Sequence, residues 1–151
     1  MKKINLGKRI GTNIYNTGIV SRALSSQTFA EKEFGITPEQ YLVLDLVIEN
    51  GELYQRQIAE ITLKDRANVS RIIKILKEKE LIKKIPEARG RRIYKIVVTE
   101  KGKELRDTIF PTVLELRELM TENISQEELL SALNTLQKVY ENIRDKVKLQ
   151  I

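Results

Sequence analysis

The stretch from Asp65 to Val98 limits the possible folds of this chain more than any other. Val69, Ile72, Ile73 and Leu76 stand at i, i+3, i+4 and i+7, the single buried stripe of an amphipathic helix. Asp65 directly precedes that helix, where a carboxylate can cap the first turn and suit its positive end. Opposite the stripe fall Ala67, Ser70, Arg71, Lys74 and Glu78, with Arg66 and Asn68 beside them near the first turn. Short residues set among long basic ones let such a helix approach a surface closely. Residues 81–85 and 92–98 are then rich in β-branched and aromatic side chains. They bracket 86–91, which predicts two strands joined by a basic hairpin tip.

Helices are predicted on both sides of this unit. Residues 4–34 carry Ile10, Ile14, Val20, Leu24 and Phe34 at ragged helical spacing, and Gly35-Ile36 breaks the pattern. Thr37-Pro38-Glu39-Gln40 reads as a capping box with proline at the first helical position, and Asn50-Gly51 as a left-handed stop. Together they predict a helix over 38–49. Residues 53–61 predict one short helix with Ile58 and Ile61 facing inward, followed by a turn at 62–65. Thr99 can cap a helix over 100–122, with Leu105, Ile109, Val113, Leu116 and Met120 on one side and Pro111 expected to bend it.

Ser125-Gln126-Glu127-Glu128 is a second capping box, opening a helix that runs to near the C-terminus. Its Leu129, Leu133, Leu136, Tyr140, Ile143 and Val147 alternate spacings of four and three, the period of a helix lying along another helix. An intramolecular core stripe and a seam to a second subunit both satisfy that period.

Composition narrows the chemistry. A length of 151 residues allows one sizeable core. Zero Cys and zero His remove disulfides, thiol redox sensing and the commonest metal ligand and general base. No apolar run approaches a bilayer-spanning length, and Gly7, Lys8, Arg9, Gly11 and Asn13 interrupt any secretory leader, so a cytoplasmic protein is expected. The formal charge of +6 is unevenly spread: residues 1–51 carry +1, 52–106 carry +8 and 107–151 carry −3. So concentrated a positive field attracts polyanions, because each phosphate neutralised releases condensed counterions.

A helix, a turn, a basic helix and a basic-tipped hairpin in this order make a winged helix-turn-helix, whose second helix can enter the major groove while the wing reaches the minor groove. From residue 37 to Gly102 the chain resembles the MarR family of bacterial transcriptional regulators. The matching pieces are Gln57-Ile58-Ala59-Glu60, Asn68-Val69-Ser70-Arg71 with Leu76, and Arg91-Arg92 before Val98-Thr99-Glu100-Lys101-Gly102. The resemblance implies a mainly α fold with a small β-hairpin wing, in which 37–99 form the DNA-binding lobe and helices in 1–34 and 100–151 interlock in a homodimer. It also implies a palindromic operator and a small-molecule or redox signal, of which the absence of Cys excludes direct cysteine oxidation; no cofactor is expected. Two positions depart from the family pattern: Glu80 stands where glycine is usual, and Gly90 where an aspartate usually precedes the groove-entering arginine, here Arg92.

Double-stranded DNA is thus the expected partner, with Asn68, Ser70 and Arg71 toward base edges or nearby phosphates and Arg66 and Lys74 on phosphate. Arg92 belongs in the minor groove, with Arg89 and Arg91 as substitutes. Backbone N–H groups opening the 54–61 helix are expected to hold a further phosphate. Tyr15, Phe29, Phe34 and Tyr41 are candidates for an effector pocket, though core packing accounts for them better. Glu118, Glu122, Glu127 and Glu128 are better explained by capping and solubility than by a metal or acid/base cluster. An interaction module for an acidic protein is the alternative function. An enzyme is not expected, since no His, Cys, phosphate-binding glycine loop or buried-looking carboxylate pair is legible.

Overall fold

The computed structural model describes residues 6–87 and 93–148. Among the described residues, six helices and three short strands follow in the order α1 (Leu6–Glu31), α2 (Pro38–Asn50), β1 (Leu53–Tyr54), α3 (Gln55–Thr62), α4 (Arg66–Glu78), β2 (Ile82–Pro86), β3 (Tyr94–Val98), α5 (Glu100–Thr121) and α6 (Gln126–Arg144). The chain falls into two compact units, Met1–Glu39 and Gln40–Ile151. No helix among the described residues is long and apolar enough to cross a membrane.

In the first unit α1 ends in a left-handed residue, Glu33 at φ 53°. Phe34 N donates to Phe29 O at 3.3 Å and Glu33 N to Ala30 O at 3.1 Å, the paired bonds of a Schellman stop. The Phe29 and Phe34 rings meet edge to face at 5.2 Å and supply the apolar contact that accompanies such a stop.

The core of the second unit is built by α2 to α5 and the sheet. Val43, Leu44 and Val47 of α2, Ile58 and Ala59 of α3, Val69, Ile73 and Leu76 of α4, Ile96 of β3 and Ile109 of α5 are almost wholly buried. Asp45 of α2 and Arg106 of α5 pair at 2.7 Å with little exposure, and the guanidinium stacks 4.3 Å from the Phe110 ring centroid. That stacking shields apolar surface while leaving the planar fork free to bind the carboxylate.

The sheet has the order β1-β3-β2, antiparallel throughout. Residues 53–61 therefore do not form one helix. Leu53 and Tyr54 pair with Ile96 and Lys95 as a third strand, and α3 starts only at Gln55. Leu53 is buried in that ladder, where it gains more than at the end of an isolated helix. Ile61, expected to face inward, is 53% exposed, because the buried side of α3 is centred on Ile58 and Ala59. Val147 lies beyond the end of α6 at Arg144, in the turn that follows. The helix α5 is continuous through Pro111.

The α4 terminus explains one departure from the family pattern. Leu81 N donates to Leu76 O and Glu80 N to Lys77 O, both at 2.9 Å, and Glu80 adopts φ 62°. Glutamate thus occupies the left-handed position of a Schellman stop, where a Cβ costs on the order of 1 kcal/mol. Its carboxylate lies 3.4 Å from Lys101, a pair exposed enough to contribute little. Glu80→Gly is expected to raise stability by about 0.5–1 kcal/mol, the relief of strain exceeding the extra freedom of the unfolded chain. Chemical denaturation would show this as a higher midpoint at unchanged slope.

Candidate nucleic-acid interface

Asp65 positions α4 as its spacing predicts: its Oδ1 accepts from Asn68 N at 2.8 Å. With Val69, Ile72, Ile73 and Leu76 buried, the opposite side presents Arg66, Ser70, Arg71 and Lys74 to solvent, and Asn68 is half-buried at its edge. Five predicted contact residues are therefore carried by one helix, four of them exposed. Arg71 Nη2 donates to Asn68 Oδ1 at 3.1 Å, so two of them share one geometry. Lys74 stands 3.8 Å from Glu78, and both are largely exposed. Such a tether is weak enough to yield to a phosphate.

Gln55 was not legible as a site residue. It opens α3 and its Nε2 donates to Ser70 Oγ, joining the first helix of the motif to the exposed face of the second. The bond occupies one acceptor lone pair of the hydroxyl and leaves its proton available to a base or phosphate. A glutamine fifteen residues away in sequence gives no periodic signal of such a contact. Lys83 and Lys84 are exposed on β2 and extend the positive surface along the hairpin.

Toward the tip-side end of the hairpin stem the charges are paired. Tyr54 Oη donates to Glu87 Oε1 at 2.8 Å. Lys95 Nζ pairs with Glu52 and stands 6.0 Å from the Tyr54 ring centroid. The bond to the Glu87 carboxylate, followed by burial, raises the Tyr54 hydroxyl above its ordinary pKa. The bond to Glu52 raises Lys95 in the same direction. Tyr54 N donates to Gln57 Oε1 at 2.8 Å, so a glutamine side chain satisfies the amide that precedes α3. Arg89, Arg91 and Arg92, the predicted wing contacts, lie outside the described residues.

The effector candidates divide between the units. Tyr15 is 69% exposed on α1, which removes it from any core of the single chain, and Phe29 and Phe34 form the α1 stop. Tyr41 is buried on α2, and its hydroxyl is pushed up first by burial and then by the Asp45 charge. Glu128 completes the α6 capping box with Ser125. Its carboxylate accepts from Ser125 Oγ at 2.7 Å and Ser125 N at 2.9 Å, and the hydroxyl bond first, then the backbone bond, lowers its pKa.

Comparison with known proteins agrees with this arrangement. A sequence model of the MarR family matches residues 34–93. An uncharacterized HTH-type transcriptional regulator, YybA of Bacillus subtilis (strain 168), is 34% identical over 133 residues, covering 83% of this chain and 85% of its own. The crystal structure of a MarR/EmrR family transcriptional regulator from Acinetobacter sp. ADP1 superposes with a TM-score of 0.83 at 24% identity, covering 94% and 99% of the two chains. A mutant MarR from E. coli complexed with operator DNA superposes at 0.79 with 18% identity, covering 92% and 99%. With its fold, its helix-turn-helix and a relative so similar over most of both lengths, the chain belongs to the MarR family of transcriptional regulators.

Proposed function

We propose that this regulator binds a palindromic operator as a homodimer and acts as a repressor that a small-molecule ligand relieves. The lobe 37–99 reads DNA, and the helical segments 1–34 and 100–151 join two subunits. The observation that carries the reading is α4, with four apolar side chains buried and Arg66, Ser70, Arg71 and Lys74 exposed on the other side. Arg71 and Ser70 face base edges, Arg66 and Lys74 face phosphates, and the α3 N-terminus with Gln55 holds a further phosphate. The dimer is supported by α6, none of whose residues is buried in the single chain. Repression and ligand release are what the family resemblance implies.

Selection of bound duplexes from a random pool is the direct test, and a recovered sequence with two inverted half-sites is the expected result. On that duplex, about four phosphate contacts per subunit give a log K that falls against log salt with a slope near −7. Arg71→Ala is expected to weaken binding by roughly 10–100-fold and relax preference at one base position of each half-site. A slope near zero, with Arg71→Ala binding as tightly as the unaltered protein, would sink the proposal.

A further inference from the structure

We infer that Tyr54 is a positioning residue for the wing, its hydroxyl holding the tip-side end of the hairpin stem at a fixed angle to the DNA-reading helices through Glu87. The inference rests on the DNA-binding reading above and adds how the two prongs of that site are kept in register.

The geometry begins with the sheet. The last pair of β1 is Tyr54 with Lys95, whereas the β2–β3 ladder continues beyond it to Pro86 with Tyr94. Toward its tip the hairpin therefore loses its third strand, and a two-stranded hairpin alone is marginal in water. The Tyr54 phenol reaches past the end of β1. Its hydroxyl donates to the Glu87 carboxylate at 2.8 Å, and Glu87 N donates to Ile93 O at 3.1 Å, closing the described stem. A hydrogen bond to an ionised acceptor is about twice as strong as a neutral one, which suits a single bond to hold a lever.

The other end of the lever is equally fixed. Gln55, the next residue, opens α3 and binds Ser70 on the exposed face of α4. The Tyr54 backbone N–H is held by Gln57, and its ring lies beside Lys95, which is itself paired with Glu52. One side chain thus links the wing stem to the start of the helix pair. Arg89, Arg91 and Arg92, the wing contacts of the proposed reading, stand in sequence between Glu87 and Ile93, the two residues that close this stem. Glu87 bears the wrong charge for a phosphate contact, and the bond to Tyr54 gives it a place.

The test uses the full chain and a duplex that the unaltered protein recovers from a random pool. Tyr54→Phe keeps the ring and its Lys95 neighbour and removes only the donor. About tenfold weaker binding is expected, with hydroxyl-radical protection lost in the flanking minor groove and methylation protection of major-groove guanines retained. The Glu87 amide should exchange its hydrogen faster in the absence of DNA. Glu87→Gln, which keeps an acceptor oxygen without its charge, should fall between the unaltered protein and Tyr54→Phe. Glu87→Ala should match Tyr54→Phe, and the double variant should be no worse than either. Tyr54→Phe with full flanking protection, or with losses spread evenly over both grooves, would overturn the inference. Should the unaltered protein recover no duplex, the DNA-binding reading fails separately; an unchanged Glu87 exchange rate in Tyr54→Phe would then overturn the role of Tyr54 on its own.

Discussion

Gly102→Ala is expected to lower the melting temperature by roughly 6–12 °C and to loosen the lobe that carries α4. A Cβ on Gly102 would land on the Leu81 carbonyl oxygen and within 2.6 Å of Val98 Cγ1. The obstacle is backbone, so a side-chain rotation cannot clear it. Leu81 O is also the acceptor for Thr99 N at 3.1 Å, and Thr99 Oγ1 both donates to Glu80 O at 2.7 Å and is the acceptor for Gly102 N at 3.1 Å. Pushing α5 off Leu81 therefore disturbs the cap of α5, the end of α4 and the first ladder residues together. Overpacking at such a joint costs about 3 kcal/mol, and a domain of this size loses roughly 2–4 °C for each kcal/mol. Lys103→Ala, one residue on and exposed, is the control and should melt within about a degree of the parent. Equal melting of the alanine at 102 and the parent would mean that α5 does not rest on the Leu81 carbonyl.

That joint also shows what the sequence could and could not reveal. Thr99-Glu100-Lys101-Gly102 was visible as a cap and as a family motif, yet the reason for its glycine is a carbonyl twenty-one residues earlier. Some local contacts were legible: Asp65 to Asn68, Ser125 to Glu128 and the α4 stripe depend on spacing alone. The two-residue β1 was not, because a strand that short has no alternation, and its existence is decided by the free edge of β3. The same holds for Gln55 with Ser70 and Tyr54 with Glu87, polar pairs fifteen and thirty-three residues apart with no periodic trace. Ile61 was misplaced because a helix of eight residues turns its apolar side by one position with little change in the pattern. Glu80 was the converse case. Its departure from the family glycine suggested a differently shaped turn into the wing, yet the backbone keeps the left-handed conformation a glycine would take, φ 62°.

Replacing Leu133 and Leu136 together by Glu is expected to convert the protein to a 17.5 kDa particle in sedimentation and to weaken operator binding by about 100-fold or more. In the single chain Leu133 is 62% and Leu136 46% exposed, and Tyr140 and Ile143 of the same stripe are 39% and 53% exposed. Heptad-like spacing on a helix that buries none of its residues favours a partner over an internal core. Two like charges per subunit in such a seam would face each other across the two-fold axis without a counter-ion, a cost of several kcal/mol. The same substitutions in an isolated chain fall on solvent-exposed helix, where changes usually stay within about 0.5 kcal/mol. Circular dichroism should therefore keep its helical signal while the mass halves, a combination that loss of folding cannot imitate. The fall in affinity follows from losing the second half-site: two linked lobes bind with an effective concentration that a lone lobe lacks. A sedimentation profile unchanged by the two glutamates would remove α6 from the interface and leave its apolar stripe to some other surface.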